Sequence, residues 1–201
     1  MLVQSSGLDV LVHMYQNHSM TAASRLASTV STALGALAAP APPAPPPAPA
    51  GAERIHVRRT GRLSVPLLPA RAFPLFTPLG ERRWAPGWDP LFHFPADGEA
   101  RAGALFSTRG EDGRETLWVI VDWRPERRRV RYARVTPGLR AGTVEVACAP
   151  GPDRTTVATV TYDLAALSPE GDADLATWTE SWYAGFLAEW EQQIAAALRG
   201  E

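Results

Sequence analysis

Ten side chains in this sequence have types and positions suited to holding a small apolar molecule: Trp84, Trp88, Phe92, Phe94, Trp118, Tyr132, Arg134, Glu145, Trp182 and Phe186. Most are flat rings, several with one polar edge, as a pocket for an apolar or aromatic ligand requires. Trp178 and Tyr183 extend the same set. The same rings also fill cores, and Trp84 and Trp88 have a second reading as pins that fix short helices to a sheet. Arg134 and Glu145 fall mid-strand on what read as neighbouring strands. Pointing inward, they form a buried polar device that orients a ligand carbonyl or hydroxyl. Pointing outward, they form a surface pair worth less than about 1 kcal/mol. One step of register separates the two readings. His93, in Leu91-Phe-His-Phe94, is the natural general base at neutral pH; its apolar neighbours equally fit a hydrogen-bonded or surface histidine. His56 has no evident partner in the sequence. Asp89 and Asp122 each abut a tryptophan and a turn, which suits turn or cap hydrogen bonding.

Other chemistry has no sequence support. The chain has no glycine-rich nucleotide loop, no Gly-x-Ser-x-Gly elbow and no His-Glu-x-x-His pair, so no catalytic residue, metal site or cofactor is expected. Cys148 is the only cysteine, which excludes an intramolecular disulfide and a multi-cysteine zinc site. It sits in the alternating run Thr143-Val-Glu-Val-Ala-Cys148 and reads as a buried free thiol. The formal net charge is −1, too small to recruit nucleic acid or an anionic surface. Every basic residue is arginine. The local run Arg127-Arg-Arg129 with Arg131 and Arg134 is interrupted on one side by Glu126 and reads as a solvated hairpin, not a nucleic-acid face.

The elements that must position these residues are legible from periodicity. Residues 1–52 read as a low-complexity, disordered arm ending in Pro40-Ala-Pro-Pro-Ala-Pro-Pro-Pro-Ala-Pro49, a polyproline-II spacer that marks a domain boundary. No apolar run reaches the roughly 20 residues of a membrane-spanning helix, and a cytoplasmic location is expected. The segment from Met20 to Ala39 also faintly resembles an export signal. Residues 53–201 read as one domain. Ile55, Val57, Leu63 and Val65 alternate as a half-buried strand. Residues 69–77 and 79–84 suit two short helices. Six further strands follow, over 91–94, 104–108, 116–123, 129–135, 143–148 and 155–164, with a turn signal between each pair. Ser168-Pro169 with Glu170, Asp172 and Asp174 then opens a helix. Leu175, Trp178, Trp182, Phe186, Trp190, Ile194 and Leu198 recur at steps of three or four, which predicts one long amphipathic helix of about seven turns.

A sheet of this kind must bury one face, and the long helix is its natural cover. The element order resembles the helix-grip fold of the SRPBCC superfamily, which includes START domains, pathogenesis-related allergens and polyketide cyclases. The run Phe76-Thr-Pro-Leu-Gly-Glu-Arg-Arg-Trp84 leading into Pro86-Gly-Trp88-Asp-Pro90 is similar to bacterial members. So are Arg131-Tyr-Ala-Arg-Val-Thr-Pro-Gly138 and the closing Glu189-Trp190. The resemblance covers residues 53–199. It implies a curved sheet gripping the C-terminal helix, with a cavity between them that the short helices help to close. Three functions fit it: binding of a hydrophobic or lipid-like small molecule, a cyclase or dehydratase using Tyr132, Arg134, Glu145 or His93 to move protons, and a protein-interaction module of co-chaperone or antitoxin type. The superfamily offers no universal catalytic motif, so the resemblance assigns none.

Overall fold

A computed structural model of the chain describes residues 53–110 and 112–200; the expected arm and its proline-rich spacer lie outside the described residues. Seven strands are present: β1 (His56–Val65), β2 (Leu91–Phe94), β3 (Leu105–Arg109), β4 (Glu115–Arg124), β5 (Arg129–Thr136), β6 (Arg140–Pro150) and β7 (Thr156–Ala166). They form one sheet in the order β1-β7-β6-β5-β4-β3-β2, every neighbour antiparallel. All seven expected strands are there. Strict alternation along β7 puts Ala158, Val160, Tyr162 and Leu164 on the inner face, and pairing carries that face to Val144, Val146 and Cys148 of β6 and to Val130, Tyr132 and Arg134 of β5.

Two bulges overrule simple alternation. In β4 the register shifts between Ile120 and Asp122, so Val121 is an extra residue that pairs with nothing on β5. The shift turns Trp123 to the inner face opposite Val130, where its ring packs 5.3 Å from that of Phe73. In β2 the register shifts between Phe92 and Phe94, with His93 as the extra residue. Phe92 pairs with the inward Phe106, and Phe94 pairs with Leu105 on the opposite face.

The layer over the inner face is made from short helices and one long one. After β1 the chain forms α1 (Pro69–Ala72), a 3-10 turn (Phe73–Phe76) and α2 (Pro78–Glu81). These are shorter than the two helices expected, because prolines at 69, 74 and 78 each remove a backbone donor and restart the winding. At the C-terminus the single expected helix is two: α3 (Pro169–Ala176) and α4 (Glu180–Arg199). Ser168 caps α3 by accepting from the Gly171 amide at 3.1 Å. The break follows from a second cap, since the Thr179 hydroxyl accepts from the Trp182 amide at 3.2 Å and starts a new helix. The apolar stripe survives the break, with Leu175, Trp178, Phe186, Trp190 and Ile194 all buried. Among the described residues no helix is long and apolar enough to cross a membrane.

Candidate functional site

The inner sheet face, α4 and the short-helix segment enclose a cavity lined by Pro78, Glu81, Trp88, Phe106, Trp118, Tyr132, Val144, Val146, Tyr162 and Trp190. The space left among them admits the centre of about one water, ≈ 10 Å³. Its walls are rings in mutual contact. Phe106 and Trp118 are stacked, 5.9 Å between centroids. Trp88 meets Trp118 edge-on at 5.8 Å, and Tyr132 meets both Phe106 and Trp118 edge-on. Behind this wall Trp84 and Phe186 pack on Trp190 at 5.1 and 4.7 Å.

The polar edges of the rings hold the roof. Short helices leave carbonyls that no amide of their own reaches. The Trp84 indole donates to the Leu75 carbonyl, the Trp88 indole to the Pro78 carbonyl and the Tyr132 hydroxyl to the Phe76 carbonyl, each at 2.8 Å. Gly80 allows the roof to fold this tightly, for a Cβ there would stand 1.9 Å from the Pro74 carbonyl oxygen. Trp118 is held from the sheet side by its own bond to the Thr108 hydroxyl at 3.0 Å.

Two buried charged side chains adjoin this aromatic box. Glu81, at the end of α2, is one of the lining residues, and Arg134 on β5 lays its guanidinium 5.0 Å from the centre of the Trp118 ring. Both are felt by the phenols. Burial raises the Tyr132 pKa well above the usual phenol value, and the Glu81 charge adds to the rise. Tyr162 is also raised by burial; Arg134 pulls it down while Glu81 pushes it up. Both hydroxyls stay protonated at any physiological pH. A cavity lined by Glu81 and neutral phenols, with the Arg134 guanidinium just behind its wall, can orient a polar group on an otherwise apolar guest.

Chains of solved structure share this architecture. A truncated norcoclaurine synthase from Thalictrum flavum superposes with a TM-score of 0.51 at 12% identity, covering 71% of this chain and 95% of that one. Major latex-like protein 151 from Panax ginseng gives 0.53 at 16% identity, covering 70% and 96%. The fold is the helix grip. The protein XoxI from Bacillus cereus also matches, with a TM-score of 0.50 at 13% identity over 69% of this chain and 95% of that one. No family model and no curated protein matches the sequence.

The helix-grip frame places the ten residues singled out from sequence in three groups. Trp88, Trp118 and Tyr132 line the cavity. Trp84, Phe186 and Arg134 stand immediately behind the wall, while Phe92 and Trp182 are half-buried at its margins, Phe92 against Phe106 and Trp182 stacked on Phe186. Phe94 and Glu145 are outside it. The β2 bulge sends Phe94 to the outer face, 53% exposed under the guanidinium of Arg101. Glu145 sits opposite Arg131, one residue out of phase with the inner face, and pairs with Arg129 at 2.8 Å. Arg134 lies opposite Gly142. Both sequence readings put Arg134 and Glu145 on one face of the sheet, and both are corrected: Arg134 faces the core and Glu145 the outer face.

The histidines and aspartates singled out from sequence make contacts outside the cavity. His93 is exposed and hydrogen-bonds to the Ser107 hydroxyl at 3.0 Å. His56 has a partner after all, Asp163 at 2.5 Å, which also holds Arg58. Asp89 and Asp122 serve ion pairs with Arg82 and Arg124 instead of turn caps. Cys148 is buried, and burial pushes its thiol up to about 12. Among the described residues no group of three or more His, Cys, Asp and Glu is placed to hold a metal. Sequence reasoning passed over Glu81, Phe106, Tyr162 and Trp190 as cavity residues. Alternation with Val160 and Leu164 marks Tyr162 as inward; Glu81 has no comparable signal, since a four-residue helix carries no readable period.

Proposed function

We propose that this chain binds a flat, apolar small molecule between the sheet and α4, beneath the segment Pro69–Trp88. The observation that carries this reading is the lining: six aromatic rings and two valines converge on one space, with Glu81 the one carboxylate among them. Such a surface gains by covering an apolar guest, about 25 cal/mol for each Å² removed from water. The free space is about that of one water, so binding is coupled to a yielding of the layer above the sheet. One of the norcoclaurine synthase structures contains dopamine and hydroxybenzaldehyde. At 11% identity that likeness is one of fold, and the ligand class here rests on the chain's own lining.

The buried Glu81 supports a second reading, a cyclase or dehydratase in which this carboxylate moves a proton on the guest. Glu145 and His93, which sequence also offered for that work, do not line the cavity. Tyr132 has its hydroxyl committed to the Phe76 carbonyl. Proton transfer in this cavity therefore falls to Glu81.

Native mass spectrometry of the protein from its own host, against a denatured aliquot, tests the binding reading. A reproducible excess mass that vanishes on denaturation is expected. A clean apo mass, with no thermal shift from a panel of lipids, quinones and polyketides, would count against it. If the captured molecule is turned over, Glu81→Gln abolishes turnover and leaves binding within a few-fold; unchanged turnover eliminates the enzyme reading.

A further inference from the structure

The polar groups at the cavity are unevenly committed. The Tyr132 hydroxyl and the Trp88 and Trp118 indoles donate to protein acceptors. Tyr162 is different. Its side chain is 3% exposed and lines the cavity, yet among the described residues its hydroxyl has no hydrogen-bond partner. With no protein partner, that hydroxyl is completed only by what enters the cavity. The ring itself is fixed by Trp178, Tyr183 and Phe186, whose centroids lie 5.5, 6.1 and 6.2 Å away, so the hydroxyl is held in place.

We infer that Tyr162 determines the specificity of this cavity, selecting a flat aromatic guest that carries a neutral hydroxyl group. This rests on the reading of the cavity as a ligand site. The choice of a neutral hydroxyl follows from the charges around Tyr162. Glu81 lines the same cavity, and the buried guanidinium of Arg134 lies just behind it against the Trp118 ring. An anionic guest meets the buried carboxylate, a cationic guest the buried guanidinium, and each must shed its own hydration to enter. A hydroxyl both donates and accepts, so it completes Tyr162 without bringing charge into the core. The ring faces of Phe106 and Trp118 favour a planar carrier for that hydroxyl.

Equilibrium dialysis of the full-length chain against 2-naphthol, naphthalene and 2-naphthoate tests the inference. The native protein should hold naphthol about tenfold more tightly than naphthalene, the size of one hydrogen bond, and naphthoate no more tightly than naphthalene. Tyr162→Phe removes one oxygen and keeps the ring. It should bring naphthol down to naphthalene, leave naphthalene unchanged, and leave the thermal midpoint where it was, since no protein hydrogen bond is lost. Equal binding of naphthol and naphthalene by the native chain, or a naphthol advantage that survives Tyr162→Phe, overturns the role of Tyr162 and leaves the cavity standing as a ligand site. Failure of the native chain to bind any of the three removes the ligand site and the inference together. Should Tyr162→Phe not fold, equal binding of naphthol and naphthalene by the native chain still overturns the inference.

Discussion

Arg140 and Asp174 put opposite charges into the interior, with side-chain exposures of 3% and 8%, and join β6 directly to α3. The guanidinium also lies 5.1 Å from the centre of the Trp178 ring, and its Nε is buried with no hydrogen-bond partner among the described residues. Taking both charges out of water is expensive, so the pair need contribute little as a whole, while losing one member strands the other. Asp174→Asn should therefore cost about 3–5 kcal/mol in urea unfolding. The double replacement Arg140→Met with Asp174→Leu should recover most of that loss. A single variant within 1 kcal/mol of the native protein, on the order of an exposed pair, would show that the two charges are solvated in the folded chain. At this scale the sequence was least informative. Arg134, Arg140 and Glu145 are all charged residues in strands, and only the inward or outward phase of each strand separates a core ion from a surface one.

At the scale of elements the sequence was far more readable, because a strand or an amphipathic helix repeats its signal over many residues. Alternation placed all seven strands, and the stripe from Leu175 to Ile194 found the covering helices. What it missed were single-residue events. Val121 and His93 each add one residue to a strand and invert everything beyond them, which is why Trp123 turned inward and Phe94 turned out. Thr179 divided a helix that periodicity had joined, because a stripe continues across a break that keeps its phase. Thr179→Ala should lower stability by about 1 kcal/mol, the cost of a lost N-cap, and Thr179→Ser should restore it. The roof over the cavity offers a second test. Gly80→Ala drives a Cβ into the Pro74 carbonyl and should loosen residues 69–88 while the sheet stays formed. Amide hydrogen exchange reads this directly: faster exchange confined to the roof is expected, and uniform acceleration across β4 to β7 would mean that the roof and the sheet open as one unit.

For the molecule as a whole, the interior sets the direction of its response to alkali. Tyr132, Tyr162 and Tyr183 are raised above the ordinary phenol value chiefly by burial, and Cys148 is pushed up to about 12 by the same cause. In the unfolded chain thiols titrate at about 8.5 and phenols at about 10. Between those values and the folded ones, the unfolded state has released protons that the folded state still holds. The unfolded state then binds fewer protons, so stability falls as pH rises through this window, and all four groups act with the same sign. Below about 8.5 none of them contributes, because both states are protonated. The folded protein should accordingly show no tyrosinate absorbance until it unfolds, and alkaline titration should give one cooperative step in which tyrosinate appears together with loss of circular dichroism. A Tyr15→Phe background leaves only these three phenols to report. Iodoacetamide should behave in parallel, leaving Cys148 unmodified in the native protein at mildly alkaline pH and labelling it fully in urea. Gradual tyrosinate formation near the ordinary phenol value, with the dichroism unchanged, would mean that the cavity face of the sheet is open to solvent. The roof would then not exclude water, and the aromatic lining would have to act as a surface.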